Sequence, residues 1–431
     1  MNLIPKLESD RLQLGTLIIN IATLLLVLVN SILPAINLKT GLLGFPYLFP
    51  AIRPLGTDFR EGLFFPAKYL LEGKNPYLRG FPYPPFASIF ATPFRLFNVQ
   101  NAYLIHVILL FLAIIAIVYT SVKIAEYVSI NAKESRDFKT GGWIVDAIFL
   151  PVTILTLFSY GFIFTVERGN FDPFPLLFLV LSLWVLLTKP DRLWLQTLLV
   201  GIATHLKVYP AVLFSLILWK HGRKSILPLI AVNAALLFMT GPLNVVEFFR
   251  KIIPYSQGPF IWIGNHSATS FSTQVNNFLS PRLNIEIPAL FFSALPLLLW
   301  GAGALVLWRR NYSPINATYL YALSIPVMNL LPSTSHDYKL VLLSSPLAIV
   351  LFLTLYRFTE SGRPLELVKL LTLLFLLIPL TRSYTMLPVA LGNKYPFILL
   401  FQFVVFVTIL DWETSGEPMS PRTVDPASVH P

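Results

Sequence analysis

The chain has 431 residues, of which 55% are hydrophobic and 12% charged, with a mean hydropathy of +0.69 and a formal net charge of +11. So apolar a composition excludes intrinsic disorder, which needs low hydrophobicity and high charge, and leaves too little polar surface to cover an ordinary soluble enzyme. The lack of cysteine excludes a disulfide scaffold and a Cys-based zinc module, so a polytopic membrane protein remains, its Lys and Arg serving cytoplasmic loops and headgroups rather than nucleic acid.

A spanning helix needs about 20 apolar residues. Residues 14–36 are the first such run. No small-x-small site closes it, so it reads as an uncleaved first helix rather than a signal peptide. Residues 37–98 then form a long first loop. Within it, 58–71 carries apolar residues at Leu63, Phe64, Ala67, Leu70 and Leu71, the pattern of an amphipathic helix kinked at Pro66 and stopped by Gly73. Asn75-Pro76-Tyr77 is a turn. Tyr83-Pro84-Pro85 opens a second helix, whose stripe of Phe86, Ile89, Phe90, Phe94 and Phe97 is expected to contact lipid. Two short amphipathic helices with aromatic faces suit a membrane interface.

Further spans are predicted at 103–124, 143–164, 173–188, 226–241, 287–308, 314–331, 340–356, 365–381 and 396–411. The fold expected is therefore an all-α polytopic bundle of about ten spans. Residues 1–411 form a single membrane domain, with a second external loop at 242–286 and a Pro- and Ser-rich disordered cytoplasmic tail at 412–431.

Residues 193–219 are bounded by basic residues at both ends, Lys189 and Arg192 before, then Lys220, Arg223 and Lys224 after. A re-entrant hairpin keeps both clusters inside, with His205-Leu206-Lys207-Val208-Tyr209-Pro210 at its apex and Pro210 as the break. Parity then places Lys133/Arg136/Lys139, Arg309/Arg310 and Arg357/Arg363 on the cytoplasmic side. Seventeen of the 32 Lys and Arg fall inside; ten of the others lie in the two long loops, which the positive-inside rule discounts.

With this orientation the polar motifs gather on the external face. Asp58 and Glu61 lie one helical turn apart. Glu167-Arg168-Gly169-Asn170 sits between two spans, and Ser335-His336-Asp337-Tyr338-Lys339 between two others. Ionisable groups at membrane depth are costly and mark function. Lys207, inside an apolar stretch, is the clearest instance. Asp172 before Pro173 reads as a helix cap. His205 reads as structural, because it points away from Lys207 on a helix. The 255–277 stretch around His266 reads as a surface for polar ligands.

No P-loop, dinucleotide fingerprint, H-E-x-x-H or G-x-S-x-G motif occurs. What remains is an acid able to take a proton from a hydroxyl and cations able to hold a phosphate as it leaves. That is a recipe for moving a sugar from a lipid phosphate. Asp58-Phe59-Arg60-Glu61 separates the two acids, so no divalent metal is implied, and no cofactor either.

The acid in the first loop, Gly73-Lys74-Asn75-Pro76-Tyr77, Tyr83-Pro84-Pro85, Arg168-Gly169-Asn170 before a span, and Gly201-x5-Lys207-x2-Pro210 together resemble glycosyltransferase family 87. This is a family of the GT-C superfamily that includes polyprenol-phosphate-mannose-dependent α-mannosyltransferases. The resemblance covers roughly residues 50–340. It implies a bundle of transmembrane helices with two interfacial helices in the first loop. It also implies Asp58 as general base of an inverting displacement, Lys207 and Arg168 facing the donor phosphate, and His336 lining the site, with Glu61, Glu167, Asn170 and Tyr338 beside them. A polyprenyl-phosphate-linked sugar as donor, a lipid or glycan acceptor, and a place in the plasma or inner membrane follow from the same resemblance. The other reading is a transporter or flippase. Such folds show broken helices in corresponding halves, and the sequence offers one break, at 205–210.

Overall fold

The computed structural model describes residues 4–28, 55–79, 81–131, 139–257, 265–310, 312–361 and 363–375. Among these the protein is helical throughout, apart from one isolated bridge between Asn265 and His336. The end of the first predicted span (29–36), the Lys133/Arg136 pair, the end of the 365–381 span (376–381), the span at 396–411 and the tail lie outside the described residues.

Helix α1 (Ile4–Val27) precedes the first loop. Helix α2, residues 57–71, joins Thr57–Phe59, a π turn at Arg60–Phe64 and Phe65–Leu71. Pro66 has no N–H to offer the Gly62 carbonyl, so the predicted kink takes the form of a widened turn ahead of it. Gly73 ends the helix at φ 66°, with Lys74 N–H donating to Tyr69 O at 2.8 Å. The second loop helix is only six residues, α3 (Pro85–Phe90), followed by a 3-10 turn at Thr92–Leu96.

That 3-10 turn corrects the lipid-contact reading of the aromatic stripe. It swings Phe94 inward, 5.2 Å from the Phe59 ring and 5.7 Å from His106. Phe90 packs 5.6 Å from Phe174, Phe86 rests on the same core, and Phe97 is left exposed. The stripe clamps the loop to the bundle.

Helix α4 (Val99–Asn131), about 50 Å long, is followed by α5 (Lys139–Leu157) and α6 (Tyr160–Arg168). The predicted span 143–164 is thus broken, with a 51° bend. Ser159 makes the break a helix start, its side chain accepting from Phe162 N–H at 3.2 Å. Helix α7 (Pro173–Thr188) has the predicted bounds.

Helix α8 (Leu193–Leu206), a 3-10 turn (Tyr209–Leu213) and α9 (Phe214–His221) form the predicted hairpin. Its two legs meet at the base, where His221 Nε2 lies 2.8 Å from Gln196 Oε1. Helix α10 (Ile226–Phe238) lies along α8, with Asn233 Oδ1 3.1 Å from His205 Nε2. His205 is structural, as read.

The remaining helices are α11 (Pro242–Gln257), α12 (Ala268–Leu283), α13 (Ala289–Arg309), α14 (Pro314–Leu330), α15 (Ser344–Ser361) and α16 (Pro364–Phe375). A 3-10 turn (Asp337–Leu343) leads into α15. Among the described residues four helices are long and apolar enough to cross a membrane, or six if each of two bent pairs is one span. Helices α7 and α8 measure only about 24 and 21 Å, short of the roughly 30 Å hydrocarbon core. The protein is multi-pass, with fewer full-length crossings among the described residues than ten.

Helix α14 and the 337–360 run are buried on every side and form the centre. Ser345 on α15 joins Ser121 of α4 at 2.7 Å and Tyr321 of α14 at 2.8 Å, so three central helices share one hydroxyl network. The sequence offers one broken segment, but the chain also breaks at 158–159, between α5 and α6, and at 331–336, between α14 and the 3-10 turn that leads into α15.

Candidate active site

The site is assembled by a glycine interlock. Helix α6 ends at Gly169, whose φ of 67° turns the chain sharply. A Cβ there would lie 2.7 Å from Cβ of Phe59 and 3.1 Å from Cα of Gly56. Gly56, itself at φ 72°, donates its N–H to Glu167 O at 2.9 Å. Two left-handed glycines therefore press the start of α2 onto the end of α6.

This contact brings Asp58 to the 167–170 turn. Arg168 Nη2 donates to Asp58 Oδ1 at 2.5 Å, and Asn170 Nδ2 lies 3.4 Å from Asp58 Oδ2. Asn170 then reaches the hairpin apex, its Oδ1 accepting from Lys207 Nζ at 2.8 Å. A single asparagine connects the acid of the first loop to the lysine of the apex.

Lys207 is buried and lies 2.6 Å from Asp172 Oδ1, which also accepts from the Tyr209 hydroxyl. Phe171 packs under the ammonium at 4.5 Å, with Tyr83 and Tyr338 at 5.3 and 5.5 Å. Asp172 is thus not the helix cap the sequence suggested, since its side chain caps nothing. It is a residue that sequence reasoning missed. The signal was Lys207 itself: an ammonium buried in an apolar stretch requires an anion.

A second close approach sets the opposite wall. A Cβ on Gly161 would lie 2.9 Å from Asp337 O and 3.1 Å from Leu340 Cβ, so α6 rests on the 3-10 turn at 337–343. Thr165 Oγ1 donates to Tyr338 O at 3.3 Å, and Tyr338 stacks on Phe164. His336 lies beside Tyr338, ring to ring at 5.3 Å. Burial, followed by the Lys339 and Arg168 charges, pushes the His336 imidazole down to about 3.

The second loop corrects another reading. His266 is buried, with its Nε2 2.7 Å from Asp337 Oδ1, and Asn265 bonds both Ser333 O and Ser335 N–H. These polar groups staple the loop to the turn instead of offering a ligand surface. Asn276 is similarly spent on the backbone of Ile287.

Behind Lys207 opens a cavity of about 770 Å³, bordered by the hairpin, α13 and the 331–339 segment. Its walls are mainly apolar, including Val212, Leu218, Ile252, Leu297 and Trp300. Among the described residues the charged ones that line it are Lys207 and Lys339. Of the residues singled out from sequence, Lys207 and Tyr338 line it. Asp58, Arg168, Asn170 and His336 do not line it, although Asn170 bonds Lys207 and His336 packs on Tyr338, while Glu61 and Glu167 lie half-buried on α2 and α6. Among the described residues no group of three His, Asp or Glu side chains is arranged to hold a metal.

The chain matches the family model described as glycosyltransferase family 87 over residues 81–334, more than half its length. The protein belongs to glycosyltransferase family 87. It is a multi-pass membrane glycosyltransferase, consistent with the GT-C architecture. No curated protein and no solved structure matches it. The matched stretch of this glycosyltransferase contains Arg168, Asn170, Asp172 and Lys207. Asp58 precedes it, and His336, Tyr338 and Lys339 follow.

Proposed function

We propose that this glycosyltransferase moves a hexose, mannose by the family resemblance, from a polyprenyl-phosphate sugar to a hydroxyl of a lipid or glycan on the extracytoplasmic face of the cell membrane. The observation that carries the reading is the mainly apolar cavity lined by two lysines, one of which a single asparagine links to the Asp58 carboxylate. An isoprenoid chain suits the apolar walls, its phosphate the cationic end, and the sugar the space toward Asp58.

In a single inverting displacement the acceptor oxygen attacks the anomeric carbon as the bond from that carbon to the phosphate oxygen breaks. The phosphate leaves as the polyprenyl monoester. Asp58 takes the acceptor proton as general base. Its Oδ1 is held by Arg168, so Oδ2, with only the longer Asn170 contact, is the oxygen positioned to receive it. Residues 1–411 work as one membrane domain, with the first-loop helices at the interface. The test is incubation of purified protein with a panel of polyprenyl-phosphate sugars and extracted membrane acceptors. Transfer from a lipid-phosphate sugar supports the reading, and transfer only from nucleotide sugars overturns it.

A further inference from the structure

Both cations that sequence reasoning assigned to the phosphate are already held by carboxylates: Arg168 by Asp58 at 2.5 Å and Lys207 by Asp172 at 2.6 Å. A phosphate arriving at Lys207 meets an ion pair whose field is largely cancelled, with a buried acid at its back. Lys207 also spends donors on Asn170 and lies among three aromatic rings.

Lys339 differs. It is buried on the 3-10 turn at 337–343 and lines the same cavity. Its Nζ donates to Thr334 O at 3.1 Å and sits 4.6 Å from the Tyr209 ring centroid. Among the described residues it forms no ion pair, and no carboxylate lines the cavity. An ammonium with one carbonyl partner keeps two N–H donors unspent. Burying such a charge without an anion is unfavourable, and in a membrane protein a charge so placed marks a ligand path.

We propose that Lys339 is the principal counter-charge for the donor's phosphate, and that Lys207 instead positions Asn170 and Asp172. This rests on the lipid-phosphate reading above. In the displacement the phosphate gains charge as its bond to the anomeric carbon breaks, so an ammonium that feels Asp172 only at a distance stabilises the leaving monoester more than one directly paired with it. No bond to Lys339 forms or breaks.

The experiment uses the full chain in detergent or nanodiscs, with polyprenyl monophosphate and the uncharged polyprenol of the same length as probes. Wild-type protein is expected to prefer the phosphate by tenfold or more. Lys339→Met loses that preference, binds polyprenol as wild type does, and regains the preference as Lys339→Arg. Lys207→Met loses less of it than Lys339→Met. Lys339→Gln, which still donates to Thr334 O, serves as the neutral variant if Lys339→Met does not fold. A wild-type protein without preference overturns the lipid-phosphate reading and this proposal with it. A wild-type preference that survives in the neutral variants overturns the role of Lys339 alone.

Discussion

At the scale of single residues, the site is a chain of committed charges. Asp58 is positioned by Arg168 and Asn170, so replacing it by Asn keeps the shape and removes the proposed base. Asp58→Asn is expected to lower transfer by about 10²–10⁴-fold, the usual contribution of general base catalysis, while leaving the melting temperature near wild type. Lys207→Met should instead show in stability, because it strands the buried Asp172 carboxylate, whose Oδ2 already lacks a partner. Breaking one side of such a pair costs about 3–5 kcal/mol. In thermal unfolding, Lys207→Met is expected to melt well below wild type and Lys207→Met/Asp172→Leu to recover much of the loss. Equal melting of the single and double variants would contradict the pairing. His336 carries a pH signature. Its folded value of about 3 lies below the usual 6.5, so the unfolded chain binds the proton more readily. Stability from His336 is therefore complete above about pH 6.5 and declines as pH falls from there toward 3. His336→Asn should flatten the drop in melting temperature between pH 7 and pH 5.

At the scale of elements, the site depends on three helix ends meeting: the start of α2, the end of α6 and the hairpin apex. The Gly56–Gly169 contact is the hinge of that meeting. Gly169→Ala introduces a left-handed Cβ, at about 1–2 kcal/mol, and a methyl 2.7 Å from Phe59. It should cost activity beyond its effect on stability, because relief of the clash moves Asp58 away from Asn170. A variant with full transfer and normal melting would dismiss the interlock. The sequence made much of this scale legible. Helix α7 has its predicted bounds, since Pro173 at the start and a polar Thr188-Lys189 end punctuate it clearly. The hairpin was legible because basic clusters flank both its ends. The break between α5 and α6 was not, since Ser159 inside an apolar run carries no periodic signal and acts only through a cap. The inward turn of Phe94 was hidden likewise, because a 3-10 turn reverses the face that a helical stripe predicts. Asp172 was misread because its capping role is local, whereas its partner Lys207 is 35 positions downstream.

At the scale of the whole molecule, the proposed topology gathers the candidate site on one face. On the proposed topology the hairpin base, with Gln196 beside His221, and the exposed Arg223 and Lys224 face the cytoplasm. The same topology puts the exposed Glu72–Lys74 turn on the external side, together with the lysine-lined part of the cavity. The chain has no cysteine, so single cysteines at Lys74 and Arg223 report cleanly. In sealed vesicles they are expected to react with a membrane-impermeant maleimide from opposite faces, and labelling of both from one face would contradict this topology. The most direct test of the account as a whole is sugar transfer by purified protein from a polyprenyl-phosphate hexose, measured for wild type and Asp58→Asn with the product's anomeric configuration determined. The account predicts transfer with inversion by wild type and its loss in Asp58→Asn. Retained configuration, or full transfer by Asp58→Asn, would contradict it.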